Sequence, residues 1–311
     1  MKKREIRHKM TRTEKFETLK GYAFISPYII GFIMFTLFPM VFSLYSSFTY
    51  YDLTSIQKWI GVKNYVDIFT SDKEFIKALG NTGYYVLFSV PLVIVVSLTV
   101  ALLMNVRTRF MGIFRTLYYL PSVLSGVAVT LLWMWIFDGR DGLLNTFIGF
   151  FGIRGPSWFF NADATKPALI IMRLWHCGGT IILFLASLQN VPVDLYEAAE
   201  IDGATGFRSF FHITLPMISP TMLFIMITGI NGAFQIFDSA YIITQNSGSD
   251  GGVGKSLLFY NLHLYIKAFR EFKMGYASAM AWILFAIIMI FTGIQLYASN
   301  RWVYYEGGTR K

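Results

Sequence analysis

The sequence predicts an all-α integral membrane protein with six transmembrane helices and a polar hairpin between the fourth and the fifth. Three observations predict it. Of 311 residues, 55% are hydrophobic and only 14% charged, with a mean hydropathy of +0.51, a composition whose main solvent is lipid. Apolar runs of bilayer-crossing length recur along the chain. Eight of the 27 Lys and Arg crowd the first 20 residues, which places the N-terminus in the cytoplasm by the positive-inside rule. The net charge of +9 therefore reads as a topology signal rather than a nucleic-acid face.

Residues 1–20 form a basic cytoplasmic tail, residues 21–300 the membrane domain, and residues 301–311 a short cytoplasmic C-terminal tail. The first span runs from about Gly21 to Phe48, too long for a cleavable signal and without a small-residue cleavage site. Pro39 predicts a kink in its body. Residues 50–79 form an outer loop. The second span covers about Asn81 to Met104, and Arg107, Arg109 and Arg115 mark the inner turn after it. The third covers about Leu117 to Phe137 and ends in an interfacial pair, Trp133 and Trp135.

The next outer segment, Asp138 to Lys166, is rich in glycine and predicts a folded loop with a short helix over Leu143 to Phe151. The fourth span covers about Pro167 to Leu188, the fifth Thr221 to Ile243, and the sixth Gly275 to Ala298. Between the fifth and sixth, Asn246 to Gly252 predicts a flexible stretch in an outer loop. The single cysteine, Cys177, lies in an apolar segment and reads as a packing residue.

The hairpin at residues 191–219 parses as two short helices. Asp194 with Glu197 three residues on is a capping-box-like start, Gly203 a stop, Thr205 a second cap, and Leu215-Pro216 an end. Its Asp194, Glu197, Glu200 and Asp202 run against the positive-inside rule, so an inner loop this acidic has another task. Ala198 and Ala199 give the first helix a flat side for another protein, and Phe207, Phe210, Phe211 and Ile213 supply anchors.

No catalytic cluster and no metal-ligand spacing is present in the sequence. Gly254-Lys255-Ser256 resembles the end of a nucleotide-binding loop, but Ser249 stands where the first glycine is required. Polar residues inside spans are the candidate substrate path, since such residues are costly in lipid and face a bundle interior. Arg173, Trp175, His176 and Gly179 group in the fourth span. In the fifth, Asn231, Gln235 and Asp238 fall at helical spacing on one face. A carboxylate and amides beside an aromatic face suit a sugar. Alternatives stay open: helix–helix hydrogen bonding for Asn231 and Gln235, an interface anchor for Trp175, and an Arg173–Asp238 ion pair.

Glu197-Ala198-Ala199, then Gly203, then Ile213-x-Leu215-Pro216 resembles the EAA loop of ABC importer permeases, spacing included. Leu195-Tyr196, Asp202-Gly203-Ala204, Trp59-x-Gly61-x-x-Asn64-Tyr65, Asn81-Thr82, Arg115, Leu120-Pro121 and Gly142-x-x-Asn145 extend the resemblance to the carbohydrate-uptake branch. Within it the chain is similar to the larger maltose-importer permease without that subunit's extra N-terminal spans. The resemblance implies a cell-membrane permease with no cofactor of its own. Its partners would be a second homologous permease, two cytoplasmic ATPases that bind ATP and Mg, and an external solute-binding protein.

It further implies that the hairpin docks on the ATPase through Glu197, Ala198, Ala199, Asp202, Gly203, Arg208, Ile213, Leu215 and Pro216. Trp175, His176 and Gly179 would fall where the maltose permease holds its sugar, as would Asn231 and Gln235 of the fifth span after a small shift in the match. Two rivals remain: a permease for another solute such as glycerol phosphate, and an ion-coupled secondary transporter. The latter needs buried carboxylates and inverted repeats, whereas the membrane segments offer Asp238 alone.

Overall fold

A computed structural model describes residues 11–106 and 111–305. Most of the basic tail (residues 1–10), the end of the C-terminal tail (residues 306–311), Arg107 and Arg109 lie outside the described residues. Helix α1 (Arg12–Phe32) continues through a π turn at Ile33–Leu37 into α2 (Phe38–Ser47). The π turn precedes Pro39, whose missing N–H deletes one backbone hydrogen bond, and the helix runs on through it as one span, Lys15–Ser47, rather than as a bent pair. A two-residue antiparallel pair follows, β1 (Thr49–Tyr50) with β2 (Lys58–Trp59), and then α3 (Lys63–Thr70).

The central helix is α4 (Lys73–Met104). It begins eight residues before the expected Asn81, because Asp72 accepts hydrogen bonds from the backbone N–H groups of Glu74 and Phe75 and caps the first turn early. Small buried side chains, Ala78, Thr82, Ser89, Ser97 and Ala101, line one face of it, which lets neighbouring helices approach closely in lipid.

The expected third and fourth spans are each broken. α5 (Met111–Val123) and α6 (Gly126–Ile136) meet at 100°, just past Pro121. Trp133 turns inward against Phe137, so Trp135 alone of the expected interfacial pair is exposed. α7 (Leu143–Gly149) falls on the predicted loop helix. α8 (Ala162–Trp175) and α9 (Gly178–Gln189) meet at 48° across His176-Cys177.

The hairpin holds α10 (Val193–Ile201), α11 (Gly206–Ser209), a π turn at Phe210–Thr214 and α12 (Leu215–Met217). α13 (Ser219–Phe234) and α14 (Asp238–Ser247) are separated by Gln235 to Phe237. The segment expected to be flexible begins as the end of α14 and becomes a run of turns only from Gly248, ahead of α15 (Tyr260–Tyr265); α16 (Met274–Trp302) follows. Four helices are long and apolar enough to cross a membrane, or up to six if each bent pair is one span. The described chain is thus a mostly helical, multi-pass membrane protein.

Two buried clusters organise the bundle. One gathers Leu98, Ala101, Met104, Phe184, Leu188 and Ile218 beside the hairpin. The other gathers Phe75, Tyr85, Phe137, Leu169, Phe259 and Tyr260 toward the opposite end. At that end the asparagines of the sequence motifs act as clamps on loop carbonyls. Asn64 donates to Ser47 and Thr49, Asn81 to Lys255 and Leu258, and Asn145 to Gly139 and Pro156. Each amide satisfies backbone groups that no helix pairs.

A buried imidazole ties the same end together. His263 Nε2–H donates to Asp72 Oδ2 at 2.8 Å, and Tyr276 donates to the same oxygen at 2.8 Å. Burial, opposed by Asp72, holds the His263 pKa below the ordinary imidazole value. Burial pushes Asp72 up, but hydrogen bonds from His263 and Tyr276 prevail and hold it below the usual carboxylate value. Below about pH 6.5 the unfolded imidazole takes a proton that the folded one refuses, so stability falls on acidification. The Asp72 contribution goes at lower pH still, as pH falls through its folded pKa. The thermal midpoint in detergent is expected to drop from about pH 7 to 5, and His263→Gln to flatten that slope; an unchanged slope would remove His263 as its source.

Candidate functional site

Two regions bring the sequence-selected residues together. In the hairpin, α10 starts at Pro192, which occupies the N-cap without a side-chain hydrogen bond. The expected capping box is absent: Asp194 lies one residue inside the helix, too late to cap it, and Glu197 is exposed with no hydrogen bond or ion pair among the described residues. Thr205 stands at the second N-cap, but its hydroxyl makes no capping bond.

Gly203 ends α10 with a φ of +71°, a left-handed value that a side chain rarely adopts. Around it Ala204 N–H donates to the Ala199 carbonyl at 2.8 Å and Gly203 N–H to Glu200 at 3.0 Å, the paired bonds of a Schellman stop. The two alanines do not share a free side: neighbours on a helix point about 100° apart, so Ala199 packs inward while Ala198 is exposed. Ile213, Leu215 and Pro216 are half-buried, and Tyr196 meets Thr214 hydroxyl to hydroxyl at 2.8 Å to brace the arms. Outward project Asp202, Arg208, Ile201 at 87% exposure and Phe207 at 77%, an acidic and apolar knob of the kind that marks an interaction surface.

The second region forms where helices are interrupted. The start of α6, the end of α8 and the gap between α13 and α14 converge on Tyr85 of α4 and line a half-open cavity of about 250 Å³. Non-helical backbone at membrane depth is tolerated where it lines such a cavity. Arg173, His176, Gln235, Asp238, Thr130, Ser239 and Phe237 line it. Thr130 donates to Ser239 at 3.2 Å, while the buried His176 Nδ1 has no partner.

The other sequence choices fall elsewhere. Gln235 is a helix cap rather than a mid-helix residue, so Asn231, Gln235 and Asp238 do not form one helical face. Asn231 instead accepts from Thr292 at 3.5 Å. Trp175 stacks edge-on against Trp133 at 5.9 Å and lines a separate, apolar cavity with Tyr118 and Pro121. Gly179 lines neither cavity; Gly178 before it is the packed glycine, seated on the Tyr118 carbonyl.

The alternative Arg173–Asp238 ion pair does not form: Arg173 Nη2 donates to the Gly229 carbonyl at 3.2 Å, and its guanidinium lies 5.7 Å from the centre of the Tyr85 ring. Sequence reasoning missed Tyr85, Thr130, Phe237 and Ser239. Thr130 and Tyr85, polar tips within apolar runs, carried a readable signal; the cavity position of Phe237 depends on a helix break that periodicity does not reveal.

A multi-pass helical chain whose broken helices close on a polar cavity belongs to the class of membrane transport subunits. Within that class it is a member of the family described as binding-protein-dependent transport system inner membrane component, whose model matches residues 93–304. It is 42% identical over 300 residues to "Probable ABC transporter permease protein YesP" of Bacillus subtilis (strain 168), covering 96% of each chain. It is 32% identical to "Lactose transport system permease protein LacF" of Rhizobium radiobacter, covering 92% of this chain and 96% of that one. In fold it is similar to a chain of a bacterial ABC transporter involved in the import of the acidic polysaccharide alginate. There the TM-score is 0.82 at 22% identity, over 93% of this chain and 98% of that one.

Proposed function

We propose that the chain is one permease subunit of an ATP-driven importer for a sugar or oligosaccharide. It works beside a second homologous permease, two cytoplasmic ATPases that bind ATP and Mg, and an extracytoplasmic solute-binding protein. Each bent pair counts as one span in this reading, giving six, with both tails and the hairpin in the cytoplasm. The second permease covers α1, which this chain alone leaves almost bare.

The observation that carries the reading is the hairpin itself: EAA-loop residues on a short projecting helix, with Glu197 unpartnered beside exposed Ile201 and Phe207. The knob is bounded by α9 and α13, whose far ends are the breaks at the cavity, so a displacement of the hairpin reaches the cavity through two rigid helices. His176, Gln235 and Asp238 are the proposed sugar contacts. The placement of Trp175 and Asn231 favours packing roles for them, while Gly179 lies outside both cavities and is not closely packed.

The test is reconstitution in vesicles with a second permease, two ATPases and a solute-binding protein from the same organism. ATP-driven accumulation of a labelled oligosaccharide is expected only with all components present. Accumulation by this chain alone, driven by an ion gradient, would establish the secondary-transporter alternative instead.

A further inference from the structure

At the end of the bundle opposite the hairpin, the first two turns of α4 and of α8 carry three lysines around one opening. Lys73, Lys77 and Lys166 line an open cavity of about 490 Å³ with Gly80, Asn81 and Tyr84, and no carboxylate is among its lining residues. Lys166 is held in place: its Nζ donates to Asn81 Oδ1 at 3.0 Å and lies 5.1 Å from the centre of the Tyr84 ring. Lys73 and Lys77 are exposed, and among the described residues neither pairs with a carboxylate. Glu74, next to Lys73, is taken by Lys255. Like charges gathered at one opening favour an anionic occupant.

Depth in the membrane says which anion. α4 is 32 residues long, whereas about 20 helical residues cross the hydrocarbon of a bilayer. Counted back from Met104, beside the hairpin, the hydrocarbon ends near Tyr85. The cavity therefore stands in the headgroup layer of the leaflet opposite the hairpin. Below it the same side of α4 continues at helical spacing as an exposed apolar stripe, Tyr84, Leu87, Phe88, Pro91 and Val95. The Tyr84 and Phe88 rings lie 4.6 Å apart on it. Lys73, Lys77 and Gly80 extend the stripe upward, and a β-carbon at Gly80 would meet no described atom within 4 Å, so the seam is open at its basic top.

We propose that this seam binds an anionic phospholipid, with the phosphate among Lys73, Lys77 and Lys166 and an acyl chain along Tyr84, Phe88 and Val95. The inference requires α4 to cross the membrane and is independent of the solute transported. A free anion would use the lysines and leave the stripe idle; a neutral lipid would cover the stripe and leave three cations unmatched. A lipid with a charged phosphate satisfies both ends. Lys166 also bonds Asn81, whose amide clamps the Lys255 and Leu258 carbonyls. The bound headgroup thus braces the joint between α4, α8 and the loop ahead of α15.

The test titrates the complete importer, purified in detergent, with phosphatidylglycerol, phosphatidylcholine and soluble glycerol 1-phosphate, and reads bound copies by native mass spectrometry. Phosphatidylglycerol is expected to bind roughly tenfold or more tightly than phosphatidylcholine, since each lysine near an anionic headgroup contributes about fivefold. The double variant Lys73→Gln/Lys77→Gln, which alters only exposed side chains, is expected to lose about tenfold or more of that preference. Equal binding of the two lipids, a preference unchanged in the double variant, or glycerol 1-phosphate binding as tightly as the lipid overturns the proposal. A preference present in the isolated subunit and lost in the complete importer overturns it too, because the second permease then covers the seam. None of these outcomes bears on whether the importer carries a sugar, which the uptake experiment above decides.

Discussion

Gly178→Val is expected to destabilise the chain by about 3 kcal/mol, the upper end of overpacking costs, while Gly179→Val stays within about 0.5 kcal/mol. The two glycines are adjacent in sequence and differ in surroundings. A β-carbon at Gly178 would overlap the backbone carbonyl of Tyr118, which cannot rotate away as a flexible side chain would, whereas none of the described atoms lies within 4 Å of one at Gly179. Relief would require α9 to separate from α5, disturbing the joint between two of the broken segments. Thermal unfolding of the purified complex in detergent measures both variants, and equal losses would show that the close approach carries no weight.

On the proposed docking of the hairpin, Glu197→Lys is expected to cost about 3 kcal/mol of ATPase binding, more than a hundredfold in affinity, because a carboxylate that meets a basic partner residue would be replaced by a repelling cation. The chain itself should be unaffected within about 0.5 kcal/mol, since Glu197 is exposed and makes no hydrogen bond or ion pair among the described residues. Co-purification with the ATPases, ATP-driven uptake and the thermal midpoint of the isolated subunit together distinguish these effects. Normal association and uptake would remove Glu197 from the coupling surface, and a lowered midpoint would return it to a role inside α10.

Hydropathy made the bundle legible and concealed its interruptions. Apolar runs report where lipid or protein surrounds a segment, and they read the same whether a helix is continuous or bent by 100° after Val123. The breaks at His176-Cys177 and at Gln235 to Phe237 lie inside such runs. The helical spacing of Asn231, Gln235 and Asp238 therefore presumed unbroken helical turns, which stop at Phe234 although the span runs on to Gln245. The hairpin shows the complementary case. Gly203 was readable because a left-handed stop favours glycine, whereas the cap was misassigned because Pro192 can start a helix as effectively as an acidic side chain two residues later. Arg173 was readable as a charge in an apolar segment; that it bonds the Gly229 carbonyl instead of pairing directly with Asp238 became visible only in the structure.

One hydroxyl has a mechanical consequence. Ser219 Oγ donates to the Pro216 carbonyl at 2.6 Å and accepts from the Tyr304 N–H at 2.9 Å, and the residue is buried at 3% exposure. The last turn of the hairpin, the root of α13 and the residues just after α16 are therefore pinned at one point. If the hairpin docks on an ATPase as proposed, a torque applied to the knob is shared between two levers, α13 and α16, instead of passing along a single rod.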